Sequence, residues 1–145
     1  MQINDFFRED PVSDRPPTPR RHPLLLVLAG ILFAECALLT VATIYLVIEL
    51  LVDEPDSFAS AIALTALTAL AAIWLGVIAV NLLRGKAWTR GATVVWQVLQ
   101  LAVAVGFFQG LFARQDLGWA LLLPAVAALV LLFTPPVIAA TARRG

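Results

Sequence analysis

An all-α membrane protein, with four transmembrane helices in an up-down-up-down bundle, is the fold class this sequence predicts, and three observations predict it. Four apolar runs fill the chain from residue 24 onward, each close to or above the roughly 20 residues that a spanning helix needs. The links between them are only about four residues long, which leaves no room for crossover connections. Nine of the ten Lys and Arg side chains fall on one side of the alternation, as the positive-inside rule requires.

Composition excludes a soluble domain. Of 145 residues, 61% are hydrophobic and only 14% charged, and the mean hydropathy of +0.89 belongs to chains that bury themselves in lipid. No hydrophilic stretch is long enough to fold separately, so a single membrane domain over residues 24–145 is expected. Cys36 is the one cysteine, so no intrachain disulfide can form.

Residues 1–23 read as a disordered, Pro/Arg-rich cytoplasmic tail, because Pro11, Pro16, Pro17, Pro19 and Pro23 cannot continue a helix and eight of the other 18 residues are charged. Pro16 to Pro19 has the P-x-x-P spacing, followed by Arg20 and Arg21. The first helix is placed at 24–52. Its apolar run exceeds a signal-peptide core and no small-x-small cleavage site follows, so it is expected to stay in the mature chain. Asp53, Glu54, Pro55 and Asp56 end it, and Asp56 with Ser57 offers an N-cap for a second helix over 57–83. Arg84 to Ala87 form a basic link with Gly85 suited to a left-handed C-cap, before a third helix over 88–112. Arg114 to Asp116 lead to a fourth helix over 117–134, which Pro135 and Pro136 end or kink, with a tail reaching about 142 and closing on Arg143 and Arg144.

Arg8, Arg15, Arg20, Arg21, Arg84, Lys86, Arg90, Arg143 and Arg144 lie on one side and Arg114 on the other, while the loop after the first helix is purely acidic. Both termini are therefore expected in the cytoplasm of a multi-pass protein of the inner (plasma) membrane. Trp88 and Trp119 are expected as interfacial anchors.

Within this frame one residue stands out. Glu35 lies near the centre of the first span, where an ionisable group is costly and must face protein or water. Leu28, Ile31, Glu35, Leu38, Ala42, Tyr45 and Glu49 repeat at steps of three and four, a seam expected to look into the bundle. On the third helix Thr93, Gln97, Gln100 and Ala104 share one side. Helix rise puts Glu35, Gln97 and Gln100 at one depth, so an intramembrane polar cluster of these three is expected. Two stripes of small residues are expected to be packing surfaces, within the chain or in an oligomer: Ala102, Gly106 and Gly110 on the third helix, and Ala61, Thr65, Ala69, Ala72 and Gly76 on the second.

The Arg84-Gly85-Lys86-Ala87-Trp88-Thr89-Arg90 link, the Trp- and Gln-bearing third span and the ending Phe133-Thr134-Pro135-Pro136 resemble small four-span integral membrane proteins of actinobacteria that carry no assigned function; this implies topology and little else. Separately, Ile31-Leu32-Phe33-Ala34-Glu35 is similar to the first-helix glutamate segment of small multidrug resistance transporters. That local resemblance implies a glutamate that binds protons or a cationic solute.

Other chemistry has little to build on. The sequence carries no phosphate-binding glycine loop and no paired metal ligands, and His22 sits in the basic tail. Catalytic residues, a cofactor and a metal are not expected. The basic residues sit where the membrane rule puts them, so no nucleic-acid partner is expected either. The expected partners are the lipid bilayer and a second copy or another membrane protein. Two functions remain: a non-enzymatic scaffold or accessory subunit acting through helix contacts, or a small proton-coupled transporter or channel using Glu35.

Overall fold

The computed structural model describes residues 22–110 and 115–142. Outside the described residues lie the expected tail before His22, the expected end of the third helix at 112, the Arg114 link and the closing Arg143 and Arg144. The described residues form five helices and no strand: α1 (Pro23–Val52), α2 (Phe58–Leu83), α3 (Trp88–Phe108), α4 (Gln115–Leu132) and α5 (Pro135–Ala142). The first four are long and apolar enough to cross a membrane, as befits an integral, multi-pass membrane protein.

The helix ends follow local chemistry. His22 caps α1, its Nδ1 accepting from the backbone N–H of Leu24, and Pro23 takes the first helical position, where its missing N–H costs nothing. α1 thus begins one residue earlier than expected. Ser57 caps α2 as expected, accepting from the N–H of Ser60. At the other end of α2, Gly85 adopts φ 70°, the Gly85 N–H reaches the Leu82 carbonyl and the Lys86 N–H reaches that of Asn81. These two bonds are the Schellman closure that the left-handed glycine permits.

The same device ends α3 earlier than expected. Gly110 has φ 86° and its N–H bonds the Phe107 carbonyl, so the helix stops at Phe108. α4 starts at Gln115, two residues before the expected position, which draws Asp116 into its first turn, where a carboxylate complements the helix dipole. Pro135 and Pro136 end α4 outright and open the separate helix α5, whose first N–H groups, those of Val137 and Ile138, bond the Thr134 carbonyl.

The most extensive packing is of α1 on α2 and of α3 on α4. The first pair is antiparallel: Cys36 meets Ala72 and Gly76, whereas Leu46, Glu49 and Leu50, further along α1, line a pocket with Ala61, Leu64 and Thr65, further back on α2. The small-residue stripe of α2 is what allows this approach. The Cys36 thiol donates to the Ala72 carbonyl at 3.2 Å, and a Cβ on Gly76 would sit 3.4 Å from the same sulfur. In the second pair the Phe108 ring meets Trp119 edge-on at 5.3 Å and lies against Gly118.

The main apolar cluster lies toward one end of the assembly. Leu25, Leu28, Ala29 and Leu32 of α1 pack with Leu75, Ile78, Ala79 and Leu82 of α2, with Ala128 and Leu132 of α4, and with Val137 of α5. On α1 no residue beyond Glu35 is buried, and on α2 none before Ala72. The seam expected on α1 is therefore only half right. Leu28 and Glu35 face inward, but Leu38 and Tyr45 are about two-thirds exposed, and the face turned to α2 continues instead through Cys36, Leu39, Thr43, Leu46 and Leu50, all half-buried. The contact follows the small residues of α2, which draw in the neighbouring row of α1.

The third-helix stripe is corrected more fully. Ala102 and Gly110 are exposed and Gly106 is half-buried, and a Cβ on Gly110 would meet nothing within 4 Å. Gly110 serves the helix end. Among the described residues, Ala102 and Gly110 are therefore not part of a packing surface of this chain, while Gly106 stays half-buried.

Candidate functional site

α3 is built the opposite way round from a helix of a soluble protein. Its buried residues are Thr89, Thr93, Gln97, Gln100 and Ala104, at steps of three and four, while Val95, Val98, Leu99, Val103 and Val105 are exposed. In a bilayer the polar stripe turns inward, because lipid offers no hydrogen bonds and the apolar side loses nothing by facing acyl chains. This puts two glutamines and two threonines against the other helices.

Glu35 closes the inner stretch of α1 and meets that stripe. Its side chain is 7% exposed. Carboxylate Oε2 accepts from the Trp96 indole Nε1 at 3.1 Å and from the Gln97 amide Nε2 at 3.3 Å. The expected pairing of Glu35 with Gln97 is thus present. Gln100 also flanks the carboxyl, but it gives its amide N–H to the Leu121 carbonyl of α4 at 3.0 Å. That bond has its own logic: Pro124 lacks the N–H that would bond the Ala120 carbonyl and crowds the turn containing Leu121, and a side chain from the neighbouring helix supplies a donor there. The stripe therefore ties α3 to α1 through Gln97 and to α4 through Gln100.

Trp96 was not among the expected site residues, although a signal existed. A Trp beside Gln97 on a spanning helix carries an indole N–H that needs an acceptor wherever it is covered, and among the described residues the only carboxyl at that depth is Glu35. Cys36, adjacent to Glu35, likewise holds α1 to α2. Glu35, Trp96, Gln97 and Cys36 together join three helices within about one helical turn of Glu35.

The second polar locality is at the far end of α1 and α2. A cavity of about 340 Å³ is bounded by Glu49, Asp53, Glu54 and Asp56, with Leu46, Leu50, Ala61 and Leu64 beneath. Glu49 is exposed there, as expected from its distance along the helix from Glu35. Trp88 and Trp119 are half-exposed at helix starts, and Trp88 also lies against Trp74 with ring centroids 6.2 Å apart. No protein-family model, curated protein or solved structure matches the chain.

Proposed function

We propose that this protein is a non-enzymatic scaffold or accessory subunit of the inner (plasma) membrane, acting through helix contacts, with Glu35 as the polar tie between the α1–α2 and α3–α4 pairs. The observation that carries this reading is the direct seating of Glu35 Oε2 on Trp96 and Gln97 inside a closed contact. A carboxyl held by two donors from a neighbouring helix works as a fastener, since losing either side leaves a polar group unpaired in an apolar interior. The broad apolar exterior supports lipid and a second membrane protein or copy as the partners. The up-down-up-down order and cytoplasmic termini are part of the proposal, supported by the short Arg84 to Ala87 turn and the basic bias.

A second reading is favoured by one specific atom. Glu35 Oε1 is buried without a partner, which suits a small proton-coupled transporter or channel whose glutamate exchanges what it binds. Proteoliposomes separate the two. Under the scaffold reading neither wild type nor Glu35→Gln dissipates an imposed pH gradient, and in sodium-free buffer only Glu35→Leu loses stability. Gradient dissipation by wild type that disappears in Glu35→Gln would establish transport and overturn the scaffold.

A further inference from the structure

Four polar side-chain atoms are buried without a partner among the described residues: Glu35 Oε1, Gln97 Oε1, Thr93 Oγ1 and Arg90 Nε. Three of them sit on one face of α3 at steps of three and four, and the fourth belongs to the carboxyl that Gln97 already holds. Thr93 is the informative member. Every other threonine among the described residues gives its hydroxyl to a carbonyl three or four residues earlier, as Thr40, Thr43, Thr65, Thr68, Thr89, Thr134 and Thr141 do. Thr93, with no exposed surface at all, does not. Buried polar atoms are rarely left unsatisfied, and three such oxygens on adjoining side chains call for a common guest.

We propose that Glu35 Oε1, Gln97 Oε1 and Thr93 Oγ1 are ligands of a small monovalent cation, with sodium as the test ion, bound between α1 and α3. A carboxylate, an amide carbonyl and a hydroxyl are the oxygen donors that hard cations take, and no thiol or imidazole among them would select a transition metal. Charge decides the valence. One carboxylate neutralises one positive charge, and a divalent ion would keep an unpaired charge in a low-dielectric interior. The charged groups nearby are few: Arg90 on α3, Glu49 about 21 Å of rise further along α1, and Asp116 in the first turn of α4, with none on α2 or α5. Thr93 and Gln97 are fully buried, so an ion held by them would have shed its water shell. Ion sites between helices, near the middle of the bilayer, are where membrane proteins place them. The assignment does not depend on the scaffold reading, since a bound ion would fasten α1 to α3 in either functional class.

Arg90 is the competing source of positive charge, but among the described residues no ion pair joins it to Glu35, whose carboxyl is held by Trp96 and Gln97. The test uses the whole protein in detergent, prepared free of sodium, with Tm measured as sodium chloride replaces choline chloride at constant pH and ionic strength, alongside binding of radioactive sodium. Tm should rise with sodium and not with choline. Glu35→Gln should abolish both the rise and the binding. Thr93→Val, which keeps the volume, should weaken sodium affinity by about tenfold or more while the helix content is unchanged. It also keeps the test open if the Glu35 variant fails to fold. Arg90→Gln should bind sodium as well as wild type or better. Identical sodium and choline curves with no bound sodium, stability that follows pH alone, or loss of binding in Arg90→Gln would each overturn the proposal.

Discussion

Removing the acceptor at Glu35 should reveal how much of the attachment between α1 and α3 is polar. In Glu35→Leu the side chain stays apolar and similar in bulk, the packing of Leu28 and Leu32 below is untouched, and Cys36 keeps its bond to α2. What is lost is the oxygen that serves Trp96 Nε1 and Gln97 Nε2. Hydrogen bonds between membrane helices are worth about 0.6 kcal/mol on average and about 1.7 at most, so two of them predict a loss of about 1 to 3 kcal/mol. Glu35→Gln retains an oxygen for both donors and should cost little in sodium-free buffer. Trp96→Phe removes one donor only and should cost about 0.6 to 1.7 kcal/mol by the same measure. The decisive quantity is the coupling in the double-mutant cycle of Glu35→Leu with Trp96→Phe, measured by reversible unfolding in mixed micelles of rising dodecyl sulfate fraction. It should be at least about 0.5 kcal/mol, because the two changes delete the same bond. Additivity to within about 0.3 kcal/mol would refute the reasoning and reduce the Trp96 contact to incidental proximity.

Gly76→Leu should push α1 from α2, breaking the Cys36 bond to Ala72; faster maleimide labelling of Cys36 and a lower Tm are expected. Gly110→Ala should cost about 1 to 2 kcal/mol through its left-handed backbone, whereas Ala102→Leu, on an exposed surface, should leave the monomer's unfolding unchanged. Reporter fusions within the Asp53 to Asp56 loop and next to Lys86 should report opposite sides of the membrane, and the same side for both would dismantle the orientation drawn from the basic residues.

The sequence made the helices and most of their ends legible because those depend on neighbours in the chain: Ser57 before an apolar run, Gly85 after one, and two prolines at 135 and 136. Glu35 with Gln97 was also readable, since cost and depth leave a buried acid few partners. Three features were not. Gly110 reads as part of a stripe with Ala102 and Gly106 because spacing cannot tell a glycine used for close approach from one used for positive φ. The seam on α1 shifted by a row beyond Glu35 because α2, with its small residues, chose the contact, and almost every residue of α1 is apolar enough to accept either row. Trp96 is hidden in the sequence because tryptophans in membrane proteins are ordinarily interfacial anchors, a role that suits Trp88 and Trp119 but not a ring at the depth of a buried carboxyl.

The unequal lengths of the helices bear on the membrane itself. At 1.5 Å per residue, α1 and α2 extend about 45 and 39 Å, and α3 and α4 about 32 and 27 Å, against a hydrocarbon layer of about 30 Å. One flank of the protein is thus too long for an ordinary bilayer and the other matches it, so the hydrophobic mismatch is lopsided. The long pair must tilt or recruit longer acyl chains, while the short pair is at ease in a thinner sheet.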